Sequence, residues 1–138
     1  MNIYFSCSIT GGRQDEPIYR ALVDDLLMHG HMVPTAELAD ANITQLEDVI
    51  TAEEVYTRDT AWVLGCDVLI AEVSTPSHGV GYEIALALQH QKPILCCYQR
   101  GRRVSKMILG NDNPLLRLHA YETVPQLLEG VHLFLNQW

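Results

Sequence analysis

Apolar residues in this chain occur in two patterns that alternate along its length. One is the short unbroken run: Ile3-Tyr4-Phe5, Val68-Leu69-Ile70-Ala71 and Ile94-Leu95-Cys96-Cys97-Tyr98. Runs of this length, apolar on both faces, predict strands of a parallel sheet covered by helices on each side. The other pattern is a stripe at helical spacing. Ile18, Leu22 and Leu26, widened by Val23 and Leu27, predict a first helix that begins near Pro17 and stops at Gly30. Residues 31–35 then read as a short second strand, placed at an edge by Pro34. Thr44-Gln45-Leu46-Glu47 matches a capping box and predicts a second helical region reaching Leu64 in one or two pieces. A third helix runs from the residues around 84–88 to just before Lys92-Pro93. A short helix is expected within 100–110 and a fifth strand over 118–121. Thr123 caps a last helix with Val124, Leu127, Leu128, Val131 and Leu135 on one stripe.

Strands alternating with helices at this spacing predict an α/β fold: a doubly wound three-layer sandwich around a mostly parallel five-stranded sheet. Right-handed crossovers make the flavodoxin-like order 2-1-3-4-5 the simplest arrangement. The chain then reverses direction across the sheet between strands one and three. The loops following those two strands, 8–13 and 74–83, line one crevice, where ligands of such sheets bind.

At 138 residues the chain is expected to form one domain, 1–138. Its net charge of -8 argues against a nucleic-acid polymer as partner but not against a small phosphorylated ligand. No apolar run approaches the roughly 20 residues of a membrane span, and the N-terminus lacks a basic-then-apolar signal. Cys7, Cys66, Cys96 and Cys97 form no CxxC pair, so neither a zinc site nor a disulfide framework is indicated. Buried, reduced thiols fit a cytoplasmic location. The six histidines show no metal-ligand spacing, and the acids at 24–25 and 53–54 read as solvated helix faces.

Candidate chemistry sits in the two loops. Ser8-Ile9-Thr10-Gly11-Gly12-Arg13 offers hydroxyls, close backbone approach and a guanidinium, which suit a phosphate or a sugar hydroxyl. It is neither a Walker loop nor a GxGxxG turn, and a plain tight turn is an equal reading. Ser77-His78-Gly79-Val80-Gly81-Tyr82-Glu83 is more specific, because it delivers a carboxylate to the mouth of the crevice in what reads as the first turn of a helix. Its glycines could instead serve close helix–strand packing, and a first-turn glutamate is favoured by the helix dipole alone. Asp59 shares a helical face with Trp62 and Val63, so it needs a partner or a function; pairing with Arg58 is the plain alternative. Arg100, Arg102, Arg103 and Lys106 form the one basic cluster, suited to an anion or a subunit contact.

On these residues the chain resembles the nucleoside 2-deoxyribosyltransferase superfamily, and within it most closely the 2'-deoxynucleoside 5'-phosphate N-hydrolase branch. The resemblance rests on Ile3-Tyr4-Phe5 with Ser8-Ile9-x-Gly11-Gly12-Arg13, on Asp59-x-x-Trp62, on Ala71-Glu72-Val73 with Pro76-Ser77-x-Gly79-Val80-Gly81-Tyr82-Glu83, and on Ser105-x-Met107-Ile108. It implies cleavage of the N-glycosidic bond of a 2'-deoxynucleoside 5'-monophosphate, with no cofactor and no metal. By the resemblance, Glu83 attacks the anomeric carbon to form a glycosyl ester, Asp59 assists departure of the base, and Tyr4 holds Glu83 or the sugar. Ser8, Ile9, Thr10, Gly11, Arg13, Ser77 and Gly79 would surround the 5'-phosphate. Ser105 would reach it from the neighbouring subunit of a homodimer. Hydrolases of this branch carry arginine where this chain has Thr10 and glycine where it has Cys7, which weakens the argument for phosphate. The serines at 77 and 105 strengthen it. The alternatives are base exchange by a transferase, cleavage of a ribonucleotide such as CMP, and a non-catalytic nucleotide sensor on the same fold.

Overall fold

Four of the expected strands form, all parallel, in the order β1-β2-β3-β4. The computed structural model describes residues 1–9, 12, 14–36 and 50–138. Along them run β1 (Ile3–Ser6), α1 (Glu16–Met28), α2 (Ala52–Gly65), β2 (Val68–Glu72), α3 (His78–Gln89), β3 (Ile94–Gln99), α4 (Lys106–Leu109), β4 (Leu116–Tyr121) and α5 (Val124–Leu135).

Among the described residues the sheet has four strands rather than the five expected. The segment predicted as a second strand contributes a single parallel bridge, Asn2 to Met32, beside β1. The bridge lies where the order 2-1-3-4-5 puts that strand, but Pro34 has no N–H to extend a ladder. The next donor on β1, Phe5 N–H, bonds instead to the Thr35 hydroxyl at 2.9 Å. The capping box at 44–47 lies outside the described residues. A capping box that does form is Thr51 with Glu54, and it starts α2.

Strand alternation sorts the core into two layers. On one face Ile3, Phe5, Val68 and Ile70 pack with Leu22 and Leu26 of α1 and with Leu127 and Val131 of α5. On the other, Tyr4, Leu69, Ala71 and Cys96 pack with Val63 of α2 and with Val80, Ile84 and Ala87 of α3. Helices therefore cover both faces, as buried parallel strands require. Glu72, the single acid within the strand runs, is fully buried at the end of β2. It accepts hydrogen bonds from the Tyr121 hydroxyl at 2.9 Å and from the Ser74 hydroxyl and N–H. Burial pushes its pKa up, against the pull of those donors.

Candidate active site

Tyr4 and Ser6 alternate with Ile3 and Phe5 along β1, so their side chains point to the α2–α3 face. There Ser6 donates a 2.5 Å hydrogen bond to Glu83 Oε2 of α3. Ser77 is the N-cap of α3, its side chain accepting from Val80 N–H at 3.4 Å. Glu83 consequently lies in the second turn of the helix and not in the first, as the sequence suggested. The helix dipole, which acts within the first turn, does not account for it. The packing explanation for the glycines is also overturned. A Cβ added at Gly81 meets no atom within 4 Å, and one at Gly79 meets only Ser77 Oγ at 3.8 Å.

Burial pushes the Glu83 carboxyl up to about 7; the Ser6 and Tyr4 hydroxyls hold it down, and the Asp59 charge adds to the rise. Asp59, on α2, therefore lies near enough to Glu83 to disfavour its ionisation. Tyr4, fully buried, faces both: its pKa rises through burial and then through the charges of Glu83 and Asp59. Its hydroxyl lies against Glu83 but makes no hydrogen bond of good geometry among the described residues. Tyr4, Ser6 and Glu83 thus meet on the α2–α3 face of β1.

Asp59 also has the partner proposed as its plain alternative. Arg58 Nε donates to Asp59 Oδ1 at 2.8 Å. The guanidinium rests over the Trp62 ring one turn on, 4.9 Å from its centroid. Tyr56 of α2 and Tyr82 of α3 meet edge to face at 6.3 Å. That surface contact joins α2 to α3, and the sequence reading did not single it out.

Among the proposed phosphate contacts, Ser8 is fully buried and its hydroxyl has no partner among the described residues, while Ile9 is partly buried. Thr10, Gly11 and Arg13 lie outside the described residues. Gly12 sits at φ 123°, a left-handed conformation that glycine accommodates without strain. Ser105 caps the one-turn helix α4 and is exposed.

A cleft of about 1410 Å³ runs along the other side of α3. Val80, Ile84 and Leu88 line it with Val104 and Ile108, and both Ser77 and Ser105 border it. Tyr4, Asp59 and Glu83 are not among the residues that line it.

Asp15 and Ser6 are the site residues that sequence reasoning missed. Asp15 is the N-cap of α1, yet its carboxylate makes no cap hydrogen bond. Nearly fully buried, it accepts from Thr75 Oγ1 at 2.9 Å, Gln99 Nε2 at 2.8 Å and Arg102 at 3.2 Å. It thereby ties the loop after β1 to the loop after β2 and to the basic segment. Arg100 of that segment pairs with Glu122 at 3.2 Å, while Arg103 and Lys106 line the cleft.

A parallel α/β sheet that holds a buried carboxyl, Glu83, against its first strand defines a class of protein suited to chemistry on a small ligand. The model of the nucleoside 2-deoxyribosyltransferase family matches residues 3–126, and the chain belongs to this family. A Methanosarcina barkeri protein named "Putative 2'-deoxynucleoside 5'-phosphate N-hydrolase 1" is 45% identical over 119 residues, 86% of this chain and 75% of that protein. The 5-hydroxymethyl-dUMP N-hydrolase of Danio rerio is 38% identical over 134 residues, 94% of each chain. Among solved structures, the Clostridium botulinum CMP N-glycosidase BcmB shares the fold at TM-score 0.73 and 19% identity, over 96% of this chain and 98% of that one.

Proposed function

We propose that this protein is an N-glycosidase that hydrolyses 2'-deoxynucleoside 5'-monophosphates to free base and 2-deoxyribose 5-phosphate. The observation that carries this reading is the buried Glu83 carboxyl, bonded to Ser6 and close to Asp59, in a chain of this family. In the ionised form Glu83 attacks C1' of the sugar; the new C–O bond forms as the C–N bond breaks and its electron pair leaves with the base. Asp59 assists that departure. The transition state is oxocarbenium-like, so a fixed carboxylate beside it is stabilising. Water then hydrolyses the glycosyl ester and regenerates Glu83. Two displacements return the configuration at C1'.

The 5'-phosphate lies against the Ser8 hydroxyl and the N-terminus of α3, where Ser77 and the N–H groups around Gly79 present donors. Ile9, Thr10, Gly11 and Arg13 complete its surroundings. Ser105 belongs to this set if a second copy seats in the apolar cleft along α3, which makes the homodimer the working unit. Exposed Met107 and Leu109 beside that cleft support such a contact. The four cysteines, none in a disulfide, support a reducing, cytoplasmic location.

The test is a panel of mononucleotides and nucleosides, including 5-hydroxymethyl-dUMP and CMP, scored for base and sugar release with and without a second free base. Base release from deoxynucleoside monophosphates, lost in Glu83→Ala while nucleotide binding persists, is the expected result. Exchange of bases without net sugar release would make the protein a transferase instead.

A further inference from the structure

At the end of the molecule remote from Glu83, α1 and α5 bring together three groups that the proposed reaction does not use. Asp25 lies in the last turn of α1, His29 is the C-cap of that helix, and His132 comes from α5. One ring nitrogen of each histidine and one Asp25 carboxylate oxygen all lie within 4.8 Å of one another. His132 Nε2 is 2.7 Å from Asp25 Oδ2, and His29 Nδ1 is 3.6 Å from the same oxygen. The imidazoles lie against each other with centroids 4.6 Å apart. His31 adds a third ring close enough to feel the charges of both, with its Nδ1 3.5 Å from the Met1 amine.

We propose that Asp25, His29 and His132 form a surface site for a divalent transition metal of the zinc class. Two imidazoles and one carboxylate are ligands such ions prefer. Metal–ligand bonds of about 2.0–2.2 Å set neighbouring donor atoms roughly 3.4 Å apart around a tetrahedral ion. The observed 2.7 and 3.6 Å straddle that spacing, and an ion bound here takes the place of the 2.8 Å hydrogen bond between His29 Nδ1 and the Asp25 carbonyl oxygen. The Asp25 carboxylate is only 13% exposed while the rings are 39% and 50% exposed, which leaves the ligands anchored on one side and coordination positions open to water on the other. Binding replaces the contact between His132 and Asp25 and cross-links α1 to α5. The motif is invisible in the sequence because its third ligand lies 107 residues from Asp25.

The test uses full-length protein with any affinity tag removed, titrated with zinc by calorimetry and with cobalt by visible absorption. One zinc per chain with a micromolar dissociation constant, cobalt d–d bands, and a thermal midpoint raised by several degrees are expected. His29→Gln and His132→Gln should each weaken zinc binding about tenfold or more. His29 is half exposed, so its variant folds even if loss of His132 is not tolerated. Base release should be the same in chelator as with zinc, which separates this site from the proposed active site. The absence of saturable uptake up to millimolar zinc overturns the proposal. So does equal affinity in the wild type and the His29→Gln variant.

Discussion

Replacing Glu83 by Gln should make the protein more stable at alkaline pH while abolishing base release. The Glu83 carboxyl titrates near 7 in the folded state against 4.5 for the ordinary side chain. A raised acid binds its proton more tightly when folded; below pH 4.5 the carboxyl is protonated in the folded and unfolded chain alike and stability does not vary with its titration. Between 4.5 and about 7 the unfolded chain gives up that proton and the folded one does not, so stability falls as pH rises through this window. The difference corresponds to about 3 kcal/mol at most, fully expressed above pH 7. Glutamine stays neutral and its carbonyl oxygen still accepts from Ser6, so the variant avoids this loss. Urea denaturation followed by tryptophan fluorescence, repeated from mildly acidic to mildly alkaline pH, gives the variant-minus-wild-type difference. That difference isolates residue 83, since the buried Glu72 contributes equally to both proteins. It should grow with pH toward the calculated value, equivalent to ~10 °C in thermal midpoint for a chain of this size. A difference that stays flat with pH would refute the burial of Glu83 as the source of its raised pKa.

Four further outcomes follow from the same structure. The ionised nucleophile should give kcat/KM an acid limb near pH 7, rising with pH and level above it, measured on a deoxynucleoside monophosphate. Ser6→Ala removes a donor that favours the carboxylate, so that limb should move to higher pH; an unmoved limb would separate Ser6 from Glu83. Asp15→Ala leaves Thr75, Gln99 and Arg102 without their shared acceptor and should cost about 1–3 kcal/mol of stability by denaturant titration, with KM rising more than kcat falls. Leu22→Ala, in the fully buried layer under α1, should cost about 2–5 kcal/mol without changing the pH profile.

Local signals carried most of the fold into view. The unbroken runs became β1, β2 and β3, and Thr123 caps α5 with Gln126 completing a capping box. Pro34 gave warning that its segment was an edge, but not that pairing would stop at one residue. The Ser77-to-Glu83 element could be recognised as a site because its composition is unusual. Its geometry could not, since the start of α3 at His78 depends on which hydroxyl caps it. Ser6 and Asp15 escaped notice for a different reason. A serine in a strand and an aspartate before a helix are ordinary locally, and only contacts 77 and 60–87 residues away give them work. Asp25, adjacent to Asp24, read as a solvated acid, whereas a histidine from the last helix covers it.

The Thr35 hydroxyl that takes the Phe5 N–H has a bearing on solubility. β1 carries Tyr4 and Ser6 and, among the described residues, is the last full strand of the sheet on its side. An unsatisfied strand edge is a template on which another chain can pair. Met32 and Thr35 between them occupy donors of β1 at alternate residues, Ile3 and Phe5, one with a carbonyl and one with a side chain. A side-chain acceptor fills the hydrogen-bonding position without presenting a further edge of its own. Thr35→Val would keep the shape and vacate the acceptor, turning a closed margin of the sheet into one open to intermolecular pairing.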